Sequence, residues 1–124
     1  MSALASLFQY DETTRALDQI AGRLGWDQET MMPRGAAEQR GAEMAAMESV
    51  LHARKSAPEV GDWLAKAEPE TDVDRAKLRV IQRDYDRATK VPADLATEIA
   101  KTTSIAQGIW AAARASEDLS LIHI

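Results

Sequence analysis

The sequence contains no cysteine, which excludes disulfides, thiolate metal ligands and cysteine nucleophiles. Only 5% of its 124 residues are aromatic, and alanine supplies much of the 45% that is hydrophobic. Such small side chains suit closely packed helices better than sheets, where β-branched and aromatic residues are favoured. No apolar run approaches the roughly 20 residues of a membrane-spanning helix. The first ten residues also lack the basic start and apolar centre of a secretory signal. We therefore expect an all-α, cytoplasmic protein.

Positive charge is also scarce. The 15 Lys and Arg residues are outnumbered by 20 Asp and Glu residues, which gives a formal net charge of -5. Nucleic acids and anionic membranes both attract positive protein surfaces, so we expect neither as a partner. The sequence also contains no His-Glu-x-x-His helix, Gly-rich phosphate loop or serine nucleophile elbow.

Apolar residues recur at spacings of three and four along most of the chain, which predicts about five amphipathic helices. These run approximately over residues 4–24, 34–55, 57–67, 72–89 and 92 to beyond 113, with a break near Tyr10 and Asp11 in the first. A capping box is predicted at Ser56–Glu59 and a further helix start at Thr71–Asp74. The Lys and Arg residues alternate with acidic neighbours and are interpreted as solvated faces.

Each predicted helix carries one apolar face that is suited to packing. In chain order these faces comprise Leu17, Ile20, Ala21 and Leu24; Ala37, Gly41, Met44, Met47 and Leu51; Val60, Trp63, Leu64 and Ala67; Leu78, Ile81, Tyr85 and Ala88; and Leu95, Ile99, Thr102, Ala106, Ile109 and Ala113. Gly41 lies on such a face and favours close approach of another helix. The methionines are interpreted as core filler rather than as a binding surface.

Segment 24–33, Leu-Gly-Trp-Asp-Gln-Glu-Thr-Met-Met-Pro, departs from the helical pattern. Gly25 favours a helix end because it can adopt the left-handed conformation, and Pro33 disfavours a helical Met32. We therefore interpret the segment as a shaped connector between two helices, anchored by the packing of Trp26.

Two pairs of residues are candidates for chemistry. Asp27 and Glu29 are carboxylates in segment 24–33, but acid–base catalysis also needs a dry pocket that displaces a pKa. Capping or orienting the connector is the simpler role. Glu48 and His52 share a helix face, yet a metal site needs three or four converging ligands. A surface pair or a partly buried histidine is the simpler interpretation, and we assign no catalytic, cofactor-binding or metal-binding residue.

The last six residues, Leu-Ser-Leu-Ile-His-Ile, form an abrupt apolar tail after the polar residues 116–118. They are the translation of CTG TCT CTT ATA CAC ATC, the mosaic end of a transposon-based sequencing adaptor. We hypothesise that residues 119–124, including His123, are adaptor-encoded, and we exclude them from reasoning about the fold. Native sequence is then expected over residues 1–118.

Segment 24–33 resembles the N-terminal signature of the carboxypeptidase Taq family of zinc metallocarboxypeptidases. The resemblance continues through residues 34–40 and 51–54 and resumes at 61–64 and 91–95. It ends with Ser104, residues 106–108 and Trp110. Several separated blocks in the same order make the resemblance specific, and together they span most of residues 15–118.

This resemblance implies an enzyme that removes single residues from peptide C-termini, with broad specificity and poor action next to proline. Members are mostly helical and cleft-containing, often homodimeric and cytoplasmic. Their divalent metal, typically zinc, is held by the two histidines of a His-Glu-x-x-His helix and a downstream glutamate. The glutamate of that motif acts as general base on the metal-bound water.

None of those catalytic positions is matched here, because the family's metal motif lies beyond the part that this sequence resembles. We interpret residues 1–118 as an incomplete N-terminal helical region that forms one wall of the substrate cleft. Without the motif, we expect the chain to be inactive and to bind no metal.

Helices from a larger protein should leave apolar faces uncovered, notably Leu95 to Ala113, so the chain should self-associate or pack loosely. The alternative is a self-contained small helical bundle that acts as a protein-interaction module.

Overall fold

The computed structural model describes residues 1–118 and 120, which form five α-helices, one 3-10 turn and no β-strand. The elements are α1, Ala3–Thr30; the 3-10 turn, Arg34–Ala36; α2, Ala37–Lys55; α3, Pro58–Lys66; α4, Asp72–Lys90; and α5, Ala93–Ala115. The predicted all-α class with about five helices is confirmed. None of these helices is both long and apolar enough to cross a membrane. The adaptor hypothesis falls outside the described residues, apart from Ser120.

The first helix, α1, is uninterrupted over 28 residues, so two sequence predictions are wrong. No break occurs near Tyr10, and Gly25 lies inside the helix rather than at its end. None of the described glycines has a positive φ. Helical hydrogen bonding continues as far as the N–H of Met31, which donates to the carbonyl of Asp27. Pro33 acts as predicted, because the residue before it is no longer helical. The connector therefore shrinks to residues 31–33.

A capping box forms at the start of α4, where the sequence predicted only a helix start. The Thr71 hydroxyl accepts from the N–H of Asp74 at 3.1 Å, and the Asp74 carboxylate accepts from the N–H of Thr71 at 3.2 Å. The box predicted at Ser56 is wrong, because Ala57 is the N-cap of α3. The Ser56 hydroxyl instead donates to the carbonyl of His52 at 2.6 Å, which places it at the end of α2.

A hydrophobic cluster joins α1, α3 and α4. Leu7, Val60 and Ile81 are buried at its centre. Partly buried side chains pack around them, namely Phe8, Tyr10, Ala57, Trp63, Leu64, Leu78 and Tyr85. The predicted faces of α3 and α4 are therefore confirmed. In α1, Leu7 is buried instead of the predicted Ile20, which is 44% exposed.

Small residues form the contact between α2 and α5, which pack along each other. Gly41 and Ala45 of α2 and Ala96 and Ser104 of α5 are buried. A Cβ atom at Gly41 would lie 2.9 Å from Cγ1 of Ile105, so the predicted close approach of another helix at this glycine is confirmed.

The predicted packing face of α5 makes little contact within this chain. Leu95, Ile99 and Ile109 are each about half exposed, and among the six predicted residues Ala113 alone is buried. α5 instead turns a neighbouring face toward α2, where Ala96 and Ser104 are buried and Gly41 leaves room for the side chain of Ile105. A spacing of three and four cannot choose between two neighbouring apolar faces of one helix. Leu95, Ile99 and Ile109 are left uncovered, as expected of a helix from a larger protein.

Candidate functional site

Segment 24–33 forms the last two turns of α1 and the linker to the 3-10 turn. Asp27 is 38% exposed, Trp26 is 64% exposed and Glu29 is exposed. The prediction that Trp26 anchors the segment by packing is therefore wrong within this chain. The hydroxyl of Thr30 donates to the carbonyl of Trp26 at 2.7 Å, which reinforces the last turn of the helix.

Arg40, at the start of α2, holds the end of α1. Its Nη1 donates to the carbonyl of Leu24 at 2.7 Å, and its Nη2 donates to the carboxylate of Asp27 at 2.7 Å. Its Nε lies 3.4 Å from the carboxylate of Glu43, which is an ion pair without a hydrogen bond. The Arg40 side chain is only 11% exposed. We call this set, Arg40 with Leu24 and Asp27, the arginine clamp.

A second polar contact joins segment 24–33 to α5. Nε2 of Gln28 donates to the backbone carbonyl of Ser104 at 2.6 Å. With the arginine clamp, this contact fixes the end of α1 against both α2 and α5. Asp27 therefore orients the segment, which was the simpler of its two predicted roles.

An open cavity of about 400 Å³ lies between segment 24–33 and α5. Its lining consists of Gly25, Trp26, Gln28, Glu29, Met44, Ala100, Thr103, Ser104 and Gln107. Among residues 1–118 and 120, Glu29 is the one carboxylate in this lining, and neither a histidine nor a cation faces it. The cavity therefore lacks the paired acid and base groups that hydrolysis by general acid–base catalysis requires.

His52 caps the end of α4 rather than presenting itself as a metal ligand. Its Nε2 lies 2.9 Å from the carbonyl of Ala88 and 2.6 Å from the carbonyl of Val91. Because carbonyls only accept, Nε2 must carry the proton and cannot simultaneously ligate a metal. Of the two simpler interpretations, the partly buried histidine is confirmed. No three His, Asp or Glu side chains among residues 1–118 and 120 converge as a metal site. His123 lies outside those residues.

Two further arginines depart from the predicted solvated faces. The Arg54 guanidinium stacks 3.9 Å from the ring centroid of Tyr10, and its Nε donates to the hydroxyl of the buried Thr14 at 3.0 Å. Arg15 bridges Asp11 and Asp84 at 3.2 and 3.1 Å. Burial lowers the pKa of Arg15, but the hydrogen bonds and charges of those carboxylates outweigh burial and raise it. Both arginines act in packing between helices.

Comparison with known proteins shows where this framework belongs. The family model described as carboxypeptidase Taq (M32) metallopeptidase matches residues 6–123, which is nearly the whole chain. The chain belongs to the carboxypeptidase Taq family. The predicted resemblance is therefore confirmed.

Comparison with two relatives shows what share of a carboxypeptidase Taq protein this chain covers. Thermostable carboxypeptidase 1 of Thermus thermophilus is 33% identical over 124 residues, covering 94% of this chain and 24% of that protein. Thermostable carboxypeptidase 1 of Pyrococcus furiosus is 30% identical over 100 residues, covering 78% of this chain and 20% of that protein. The chain thus spans about a quarter of the length of these relatives. No solved structure matches it.

The blocks that carry the carboxypeptidase Taq resemblance meet one another in space. Asp27 in the first block pairs with Arg40 at the end of the second, and Gln28 reaches Ser104 in the last. His52 bonds to the carbonyl of Val91, which opens another block. Sequence analysis missed these contacts, because each joins residues from helices whose mutual placement no local pattern encodes. These contacts give the blocks a structural role in holding the helices together.

Proposed function

We propose that this chain is a helical framework region of a metal-dependent carboxypeptidase that hydrolyses single residues from peptide C-termini, and that it is inactive alone. The observation that carries the proposal is the match of residues 6–123 to the metallopeptidase family, of whose relatives the chain spans only a quarter. The full-length enzyme would use zinc or another divalent metal, act on peptides in the cytoplasm and form a homodimer.

The donors among the described residues do not fit the metal centre that the family implies. His52 is the one described histidine, and two backbone carbonyls engage its Nε2. Segment 24–33 contains two carboxylates. Asp27 is paired with Arg40, and Glu29 lines the cavity without a second carboxylate or a histidine among the described residues. We therefore place the metal ligands and the general base in the part of a full-length enzyme outside this chain. No catalytic step is assigned to the described residues.

Peptide hydrolysis tests this proposal. The purified chain, supplied with zinc, should release amino acids from unblocked peptides no faster than buffer does. A chimaera in which this chain replaces the matching quarter of the Thermus thermophilus enzyme should release them, and a chelator should stop it. Chelator-sensitive release by the isolated chain would show that it is not inactive alone. A folded chimaera without any release would contradict the framework role.

The exposed apolar face of α5 supports a second candidate, the self-contained helical bundle that acts as an interaction module. Such a bundle should be a monodisperse monomer that unfolds in one sharp two-state transition. The isolated framework should instead unfold broadly or associate weakly as its concentration rises. Thermal unfolding combined with sedimentation therefore separates the two candidates.

A further inference from the structure

Beyond the proposed activity, we propose that the uncovered face of α5 is an intramolecular interface, buried in a full-length family member by an apolar surface of the remaining chain. We define the α5 outer face as Leu95, Ile99, Ala106, Ile109 and Trp110. This inference rests on family membership and on the structure, and it does not require that the proposed hydrolytic activity be correct.

The α5 outer face is a mostly apolar stripe along one side of the helix. Its five residues fall within one sector of the helix, together with Thr102, and no charged residue interrupts the sequence between Lys101 and Arg114. Leu95, Ile99 and Ile109 are 48%, 50% and 53% exposed, and Trp110 is 39% exposed. Their contiguity along one side of a helix distinguishes them from single exposed apolar residues, which are ordinary.

Helix α4 provides the contrast. Val73 and Val80 are also exposed there, but they stand among charged neighbours such as Asp72 and Arg79. Their exposure is the scattered kind that soluble proteins tolerate. The uncovered stripe is therefore a property of α5 and not of every helix in the chain.

The total solvent-accessible surface of the chain also indicates that its helices are incompletely covered. The chain exposes 8394 Å². A compact monomer of its mass, 13.6 kDa, exposes about 6600 Å². The excess agrees with helices that lack a covering layer on one side.

The geometry favours the remaining chain over a second copy as the occupant. From Leu95 to Ile109 the stripe is about 21 Å long at 1.5 Å per residue. One helix width gives it an area on the order of 200–300 Å², well below the roughly 800 Å² per partner of a stable complex. A surface in the same polypeptide needs no such area, because covalent linkage keeps its effective concentration high. The relatives supply that polypeptide, since about three quarters of their length lies outside the match.

Thiol labelling tests the interface, because the chain contains no cysteine. Ile109→Cys places a probe on the α5 outer face, and Val73→Cys on α4 is the control, at a valine that is 63% exposed against 53% for Ile109. Each variant is labelled at low micromolar concentration, both as the isolated chain and within the chimaera with the Thermus thermophilus enzyme. Labelling of the unsubstituted chimaera gives the background.

We expect the thiol at position 109 to react at least about tenfold more slowly in the chimaera than in the isolated chain. The thiol at position 73 should react at similar rates in both. Equal rates at position 109, or equal slowing at both positions, would overturn the proposal. So would protection of position 109 that appears in the chimaera only as its concentration rises, because the occupant would then be a second copy.

A second measurement keeps the inference falsifiable if the chimaera does not fold. A cysteine at the position of the intact Thermus thermophilus enzyme that aligns with Ile109 should be protected, and reaction there at the rate of an exposed thiol would overturn the proposal. The readout is independent of catalysis. An inactive chimaera with a protected thiol contradicts only the proposed function, and an active one with a reactive thiol contradicts only this inference.

Discussion

The guanidinium of Arg40 joins a backbone carbonyl and a carboxylate of α1 while being almost removed from water. A hydrogen bond to a charged group is worth about 1.5–3 kcal/mol net, and an unpaired buried acceptor costs about 1–3 kcal/mol. Asp27 stays partly exposed, so the ion pair itself is screened and contributes less than its distance suggests. The stabilisation by the arginine clamp therefore comes mainly from its hydrogen bonds, because the Arg40 guanidinium is largely shielded from water.

Replacing Arg40 with methionine should destabilise the chain by about 1–2 kcal/mol, because the aliphatic stem still packs but both donors to α1 are lost. The matched control is Arg75→Met. Arg75 pairs with Asp72 on the solvent-exposed surface, so its loss should cost no more than about 0.5 kcal/mol. Urea unfolding followed by circular dichroism measures both. Equal effects of the two substitutions would mean that the clamp contributes no more than a surface pair.

The role of Asp27 shows how far single residues can be predicted from sequence. An orienting role followed from its position between two helical patterns, and the structure agrees. Its partner, Arg40, could not be identified, because the contact spans 13 positions and depends on where α2 begins. Arg40 was grouped with the solvated cations for the same reason, since alternation with acidic neighbours does not reveal burial.

At the scale of elements, helix positions followed from periodicity, but the end of α1 and the buried face of α5 did not. Gly25 and segment 24–33 suggested a stop, yet glycine costs a helix interior only about 1 kcal/mol, which tertiary contacts readily offset. Here the arginine clamp and the Gln28 contact secure the extra turns. Pro33 was a dependable stop because its constraint is steric and does not depend on packing.

Alanine substitutions at two glycines test whether α1 continues through Gly25. Nothing lies within 4 Å of a Cβ built at Gly25, so Gly25→Ala should stabilise the chain by about 0.5–1 kcal/mol through helix propensity. Gly41→Ala is the contrasting variant, because its Cβ would lie 2.9 Å from Cγ1 of Ile105. We expect a net loss of about 1 kcal/mol there. Chemical denaturation measures both, and a destabilising Gly25→Ala would indicate that Gly25 ends the helix after all.

At the scale of the whole molecule, the fold class could be predicted and the extent of burial could not. Low aromatic content and repeated three–four spacing are sufficient for an all-α prediction. Burial depends on how many layers surround each helix, and this chain holds only the layers that α1 to α5 supply to one another. The open face of α5 and the large total surface agree with the expectation that the isolated chain self-associates or packs loosely, which stays a prediction.

The central claim is that this carboxypeptidase Taq family chain holds a helical framework and that the metal centre lies elsewhere in the full-length enzyme. Zinc stoichiometry of the purified, tag-free chain tests it most directly. After equilibration with excess zinc and exhaustive buffer exchange, metal analysis should find far less than one ion per chain, and His52→Ala should leave that value unchanged. One tightly bound zinc ion per chain, lost on substitution of His52, would contradict the claim.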